Sequence, residues 1–286
     1  MNLTPGDPAL LILGEAATPE ARYALRDQLG LNDNFFIRFG KYVIDAARFD
    51  FGLSYRTRLP VIQEIATRFP NTVTLTYWGM TLAVFIGMPI GIISAIKQYT
   101  LVDGLSLAAA LLLTSMPAFW LGLLLMLRFS LKWNLFPATG VDTWRNFVLP
   151  SITLAVGTMA ILIRMTRGTM LEVIRQDYVR TARAKGAGTR RIIFKHTLRN
   201  ALLPVITIIG IYFGSMLGGA MIIETVFAMP GLGSLMITSV RMKDTPVVMA
   251  AVLFVALIVG VINLLVDILY VYVDPRIKSQ YVRAKR

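Results

Sequence analysis

Long apolar segments alternate with polar links along most of the chain. Five of them cover approximately residues 72–96, 104–131, 148–168, 201–223 and 247–273. Each is long enough to cross a hydrocarbon core of roughly 30 Å, which takes about 20 helical residues. A helix satisfies all its backbone polar groups within the segment, as lipid requires. The pattern therefore predicts an all-α fold, a polytopic membrane helix bundle.

Shorter amphipathic patterns precede the first apolar segment. The spacing predicts helices over 18–30, 34–48 and 60–69, with a turn over 49–54. A Thr-Pro pair indicates the start of the first helix, and a glycine indicates its end. We therefore expect residues 1–71 to form a small, mainly helical, water-facing region.

The overall composition supports a membrane protein. Of the 286 residues, 56% are hydrophobic, and the mean hydropathy of +0.64 is too high for a soluble domain of this size. The sequence contains no cysteine, which excludes disulfides, thiol catalysis and thiolate metal sites. Its single histidine, His196, leaves no imidazole cluster for a metal and is expected on a helix surface.

Positive charge is concentrated beside the apolar segments. The formal net charge is +13, yet residues 1–71 hold eight basic and eight acidic side chains and are neutral. Residues 164–200 hold ten Lys or Arg against two acids, and the tail 274–286 is also basic. Such an excess marks cytoplasmic segments. Both are thus predicted to lie in the cytoplasm and to contact membrane lipid, with no nucleic acid as partner.

The basic link between the third and fourth apolar segments has an internal pattern. Residues 177–185 predict a short helix, Gly186 a left-handed C-cap, and residues 189–199 a second helix. Contact with anionic headgroups explains the charge of this link but not its small side chains. These leave room for close packing into a concave partner, so docking is the favoured interpretation. They are Ala182, Ala184, Gly186, Ala187 and Gly188.

The basic link contains two stretches that resemble a segment of a known protein family. Residues 180–186, Arg-Thr-Ala-Arg-Ala-Lys-Gly, and 198–204, Leu-Arg-Asn-Ala-Leu-Leu-Pro, resemble the EAA loop of permease subunits in binding-protein-dependent ABC importers. Arg180 and Thr181 stand where Glu and Ala are usual, and Arg199 where Pro is usual. These departures match the dipeptide, oligopeptide and nickel permease group. Other stretches that resemble this group are Pro5-Gly6-Asp7-Pro8, residues 224–233 and residues 244–248.

The resemblance implies partners for the chain. The 177–204 loop is expected to dock into a cytoplasmic ATPase as a coupling helix. The ATPase-coupling residues implied are Arg180, Thr181, Ala182, Ala184, Lys185 and Gly186. A second homologous permease subunit, two ABC ATPase subunits and an extracytoplasmic solute-binding protein are implied as well. ATP and Mg are expected on the ATPases, and no cofactor is expected on this chain.

The predicted topology is incomplete at its start. If the coupling loop 169–200 and the tail 274–286 are cytoplasmic, alternation places residues 1–71 and 224–246 outside. A neutral N-terminal region would then have to be exported with nothing ahead of it. The family has six spans, the first of which precedes the Pro-Gly-Asp-Pro motif. We therefore expect that the first span is missing here and that residues 72–273 form the permease domain.

The predicted outer loop, residues 224–246, contains a forced turn. Residues 229–233, Met-Pro-Gly-Leu-Gly, predict the turn, and residues 234–242 predict a short helix. By resemblance, this region and the N-terminal helices lie beneath the solute-binding protein. The residues expected to face this receptor are Glu224, Pro230, Gly231 and Gly233. A loop that simply closes the bundle is the alternative.

Polar side chains within the apolar segments bear on the transport mechanism. No segment carries a mid-depth series of Asp, Glu or His of the kind that ion-coupled carriers need. Several charged or amide side chains lie toward predicted helix ends, where anchoring at the membrane interface is favoured. These are Arg128, Glu224, Asn263 and Asp267.

The sequence thus predicts a multi-pass permease subunit of an ATP-driven ABC importer in a bacterial or archaeal plasma membrane. It lacks Gly-x-x-x-x-Gly-Lys-Ser/Thr, so ATP hydrolysis is expected in separate subunits and the chain is not expected to be an enzyme. The expected solute is a dipeptide, an oligopeptide or a related small molecule. An ion-gradient-driven secondary transporter is the alternative. A membrane-embedded enzyme is disfavoured because no carboxylate pair, His/Cys cluster or nucleophile motif occurs.

Overall fold

The regular elements of the protein are helices. The computed structural model describes residues 8–14 and 16–273. In chain order the helices are α1 (Pro8–Leu13), α2 (Pro19–Gln28), α3 (Phe35–Ala47), α4 (Val61–Ile96), α5 (Leu101–Ser115), α6 (Ala118–Leu125), α7 (Arg145–Ile174), α8 (Asp177–Ala184), α9 (Thr189–Arg191), α10 (Arg199–Val226), α11 (Leu232–Arg241) and α12 (Thr245–Val273). Two π-helical segments, Met126–Lys132 and Ile192–Leu198, continue α6 and join α9 to α10.

The chain divides into two compact units. The first unit contains the described residues up to Thr72 together with Pro230–Leu257. The second unit contains Val73–Met229 and the remaining described residues of α12. The first boundary falls at the predicted end of the N-terminal region. The inclusion of Pro230–Leu257 was not predicted, because it depends on packing between segments far apart in sequence.

The first unit contains the predicted N-terminal helices. Both α2 and α3 begin at side-chain caps, with Thr18 Oγ1 accepting from the Ala21 N–H and Asn34 Oδ1 from the Phe36 N–H. The predicted helix over 60–69 is instead the start of the 36-residue α4. This helix continues through Pro70, and Phe69 packs edge-to-face on Phe254 at 5.0 Å. Proline removes one backbone hydrogen bond, which tertiary packing compensates here.

A buried carboxylate fixes the link that precedes α4. Asp244 is 4% exposed and accepts hydrogen bonds from the Ser54 hydroxyl and from the backbone N–H of Tyr55 at 3.1 Å. Burial raises the pKa of Tyr55 above its ordinary value, and the nearby Asp244 charge raises it further against the opposing effect of Arg38. The beginning of α12 and the predicted turn over 49–54 are therefore joined by polar as well as apolar contacts.

The second unit is built around α7. In the most apolar stretch of α7, 67% of the residues are buried. The corresponding share is 39% in α4 and 33% in the helix that α9 and α10 form together. Gly87 and Gly91 of α4 face α7, where an added Cβ would lie 2.9 Å from the Met159 carbonyl oxygen and 2.7 Å from that of Ile163. The small residues of α4 thus serve backbone packing within the chain.

Among the described residues, four helices are long and apolar enough to cross a membrane by themselves. They are Val61–Ile96, Arg145–Ile174, Thr189–Val226 and Thr245–Ile268. The fifth predicted span, 104–131, is a pair of helices, Leu101–Ser115 and Ala118–Lys132, bent by 99°. Met116 is extended there because the following Pro117 disfavours helical geometry in the residue before it. The apolar segment predicted here is therefore a broken helix pair.

The helix predicted over 189–199 and the span predicted over 201–223 are one continuous helix. It runs over Thr189–Val226 and includes Pro204. Ala201 and Val205, on either side of the proline, are 1% and 0% exposed. Their burial holds the segment in place although Pro204 provides no backbone N–H.

Candidate coupling site

The basic loop contains a compact helix end. Helix α8 closes with a Gly186 N–H bond to the Arg183 carbonyl at 2.9 Å and an Ala187 N–H bond to the Ala182 carbonyl at 3.1 Å. Gly186 has φ +82°. This pair of bonds around a left-handed residue is the Schellman motif, in which glycine avoids the strain that a Cβ would introduce. The predicted helix and its glycine cap are confirmed.

We call residues 185–188 the elbow and the helical segment 189–198 the second arm. Helix α8 is fastened through Tyr178, and its Val179 side chain is 1% exposed. The Asn200 side-chain amide donates to the Tyr178 hydroxyl at 3.0 Å and to the His196 carbonyl at 2.9 Å. The orientation of α8 is therefore set by contacts at its base, which leave its far side open.

The second arm is seated on the membrane-spanning helices. Ile193 belongs to an apolar cluster with Ala95 of α4, Met170 of α7 and Ala201 of α10. Ile192, directly before it, is 2% exposed. Because α7 leads into α8 and the second arm leads into α10, both ends of the loop continue into spans that this cluster joins.

The predicted coupling residues lie at the outer side of this loop. Arg180, Thr181, Ala184, Lys185 and Gly186 are exposed, and Ala182 is half-buried. A Cβ added to Gly186 or Gly188 would meet no atom within 4 Å. The surface around the elbow is therefore open to any partner as far as the described residues are concerned.

The open surface is basic with an apolar component. The exposed cations are Arg180, Arg183, Lys185, Arg190, Arg191, Lys195 and Arg199. Phe194 is 57% exposed and lines a shallow depression beside the elbow, together with Gly188 and Arg190. Such a surface suits a protein partner that offers carboxylates around an apolar groove.

The predicted receptor-facing residues do not form one exposed surface. Pro230 is exposed, whereas Gly231 and Gly233 are buried in the first unit, where the Leu232 N–H donates to Thr72 Oγ1 at 2.8 Å. Glu224 belongs to the second unit and is 1% exposed. The prediction that Glu224 anchors a helix end at the membrane interface was wrong, because the last turns of α10 are packed inside the bundle. A role of Pro230 at a receptor stays a prediction.

The structure also brings together charged residues that the sequence analysis did not pair. Arg167 of α7 donates from Nε to Asp103 Oδ1 at 2.7 Å and from Nη2 to Oδ2 at 2.8 Å. The same carboxylate accepts from the Ser94 hydroxyl at 2.6 Å and from the Tyr99 backbone N–H at 3.0 Å. Opposite charges at the edges of two apolar segments were the available signal. From the sequence, Arg167 had been grouped only with the basic residues 164–200.

Comparisons with known proteins agree with this architecture. The family described as binding-protein-dependent transport system inner membrane component matches residues 87–279, and its N-terminal membrane component matches residues 1–76. A dipeptide transport system permease protein DppB of Alkalihalophilus pseudofirmus is 42% identical, over 97% of this chain and 92% of that protein. A glutathione transport system permease protein GsiC of Escherichia coli is 43% identical, over 97% and 91%.

Solved structures show the same fold at lower identity. A chain of the MetNI methionine ABC transporter, in an inward-facing conformation, superposes with a TM-score of 0.63 at 19% identity, over 74% of this chain and 97% of that one. An amino acid ABC transporter solved with histidines gives a TM-score of 0.57 at 16% identity, over 75% and 94%. With matches over both parts of the sequence and a shared fold, the chain belongs to the family of inner-membrane components of binding-protein-dependent transport systems.

Proposed function

We propose that this permease subunit of an ABC importer receives the motion of a separate ATPase through residues 177–204. The observation that carries the proposal is the elbow: a glycine-capped helix end that is open on one side and fastened on the other. If a partner binds the open side and then moves, α7 and α10 move with it. The reason is that α7 leads into α8 and the second arm leads into α10. Alternating access then follows as a shift between two bundle conformations.

The proposed coupling residues have distinct roles. Arg180 and Lys185 supply charge for a partner's carboxylates, and Ala182 and Ala184 keep the contact surface low. Gly186 makes the turn that ends α8. The Thr181 hydroxyl donates to the Asp177 carbonyl at 2.9 Å, so in this conformation it supports the helix from within.

The proposal assigns the chemistry to other subunits. ATP and Mg bind to two ABC ATPases, and this chain carries no catalytic step of its own. A second homologous permease chain and an extracytoplasmic solute-binding protein complete the importer, in the plasma membrane of a bacterium or archaeon. The elbow faces the cytoplasm and residues 1–71 face outward. The relatives are ABC permeases, and nothing found supports the alternative of an ion-gradient-driven carrier.

The proposed solute is a small peptide. This part rests on the 42–43% identity to a dipeptide permease and a glutathione permease. Both of those solutes are short, flexible molecules with peptide bonds and free carboxylates. Uptake of labelled dialanine into vesicles that contain the complete importer, with glutathione as competitor, tests it. If dialanine is not taken up and glutathione neither enters nor competes, this solute class is excluded.

Cysteine crosslinking tests the docking directly. The sequence has no cysteine, so Ala184→Cys provides a single reactive thiol at the elbow. We expect it to crosslink to a cysteine placed in the ATPase groove, and to react with a membrane-impermeant maleimide in inverted vesicles but not in intact cells. Tyr23→Cys, at a side chain that is 71% exposed, is the matched control and should show the opposite labelling. Labelling of Ala184→Cys from outside the cell would refute the proposal.

A further inference from the structure

The buried Asp103–Arg167 ion pair joins three segments of the second unit at one point. Its carboxylate receives a two-pronged bond from Arg167 of α7, a bond from Ser94 in the last turn of α4, and a bond from the Tyr99 N–H in the turn between α4 and α5. Asp103 itself lies in the first turn of α5 and is 3% exposed. The groups that donate to this carboxylate therefore lie on α7, at the end of α4 and in the turn between α4 and α5.

The turn held by this carboxylate contains a residue in a strained backbone conformation. Tyr99 has φ +63° and its side chain is 86% exposed. A non-glycine residue in the left-handed region is strained unless its surroundings hold it there. The N–H bond to Asp103 supplies such a restraint, and the Thr100 side chain supplies another by donating to the Lys97 carbonyl at 2.6 Å. The shape of the α4–α5 corner therefore depends on Asp103, which in turn is held by Arg167.

Arg167 also occupies a particular place on α7. It lies about two turns, or about 10 Å, before the end of the helix at Ile174, after which α8 begins at Asp177. One turn earlier, Gly91 brings the α4 backbone so close to α7 that an added Cβ would lie 2.7 Å from the Ile163 carbonyl oxygen. The final part of α7 is thus bound to α4 by backbone packing and to the α4–α5 corner by the ion pair.

We propose that the Asp103–Arg167 pair is the positioning tie that makes the α4–α5 corner move with α7 when an ATPase pulls on the elbow. Ion pairs inside proteins are often dispensable for stability when both partners are replaced together, so stability alone does not account for a role of this pair. A forked bond resists both sliding and rotation of α7 against α5, which apolar contacts of similar area resist less. This inference rests on the proposed docking of the elbow.

The test uses the complete importer with its ATPases and receptor, reconstituted in lipid. Lys97→Cys reports on the corner through its rate of reaction with a water-soluble maleimide. The rate is compared between the nucleotide-free complex and the complex held closed by ATP and vanadate. With the tie intact, we expect closure to change the rate. This readout needs no knowledge of the transported solute.

The decisive variant removes both charges, as Asp103→Leu with Arg167→Met. It leaves no unpaired charge in the bundle, so the complex should assemble and hydrolyse ATP. We expect it to lose the change in the Lys97→Cys rate on closure. Arg167→Lys keeps the charge without the fork and should retain a smaller change. Asp33→Asn, which breaks the exposed Asp33–Lys41 pair in the first unit, is the control and should leave the change intact.

Two results would overturn the inference. One is a full change in labelling rate in the double variant. The other is a parallel loss of ATP hydrolysis and assembled complex, which would show that the pair serves folding alone. Failure of the docking proposal is separable, because it is measured with Ala184→Cys in the chain with an intact tie. A crosslink there, combined with an unchanged rate difference in the double variant, rejects only the tie.

Discussion

The elbow and the Asp103–Arg167 tie hold helices in position by different kinds of contact. The elbow is held by bonds between residues close in sequence, from Gly186 and Ala187 back to Arg183 and Ala182. The tie joins residues more than sixty positions apart; its carboxylate is buried, and the Arg167 side chain is 20% exposed. The open structure leaves surface available to a partner, and the buried structure carries displacement into the bundle. Transmission from a motor to a membrane needs both.

The largest effect is expected from breaking one side of the tie. Arg167→Met leaves the Asp103 carboxylate without its cation but with its bonds from Ser94 and Tyr99, which should lower the free energy of unfolding by about 1–3 kcal/mol. Thermal unfolding of the detergent-extracted complex measures this. Restored stability in the Asp103→Leu, Arg167→Met double variant is the expected control result. Equal stability of the single variant and the unaltered chain would show that the pair is accessible to water.

A strong effect is also expected at the elbow, on coupling more than on stability. Gly186→Val places a β-branched residue at φ +82° and should cost about 1–2 kcal/mol locally. The altered end of α8 should uncouple ATP hydrolysis from uptake while membrane insertion stays normal. Gly188→Ala is the matched control, because Gly188 has φ −65° and open space around its Cα. Normal uptake by Gly186→Val would contradict the proposed docking geometry.

Charge reversal at the elbow should have a smaller, salt-dependent effect. Lys185→Glu should weaken the contact with an acidic partner surface and lower uptake by about tenfold, within the range of coupling energies between sites. Because the charge is exposed, the loss should be larger at low ionic strength than at high ionic strength. ATP hydrolysis and uptake measured across a salt series check this. Lys132→Glu, an exposed reversal outside residues 177–204, serves as comparison and should leave uptake unchanged.

The smallest effect is expected where α8 meets the second arm. Tyr178→Phe removes the hydroxyl that accepts from Asn200 at 3.0 Å, which should destabilise this junction by about 1 kcal/mol. Backbone amide exchange in α8 should become faster, while crosslinking of Ala184→Cys persists. Unchanged exchange would mean that this hydroxyl does not hold α8 in place.

The two regions also differ in how far sequence reasoning reached them. The helix end at Gly186 was predictable because cap geometry depends on a few neighbouring residues and on the conformational freedom of glycine. The bend at Pro117 and the continuous helices through Pro70 and Pro204 were not. A proline can either end a helix or be accommodated within it, and the packing of the residues around the proline decides which occurs.

The burial of Glu224 was missed for a related reason. Near the end of an apolar segment, an acid is compatible either with an interfacial anchor or with an interior position. Only the packing of Ile223 and Phe227 around the end of α10 shows which position it occupies. The same applies to Asp103, which lies directly before the predicted apolar segment 104–131 and was assigned no role from the sequence.

By itself, the sequence determined the class of the protein, the number of apolar segments, the sidedness expected from its charges, and the local form of the coupling loop. These depend on composition, on periodicity and on contacts between neighbours along the chain. The tertiary structure alone decided which charges are paired, which spans bend, and which part of residues 224–246 is exposed. The physical reason is that these features are set by contacts between segments distant in sequence, and their free energy depends on burial that only the folded bundle provides.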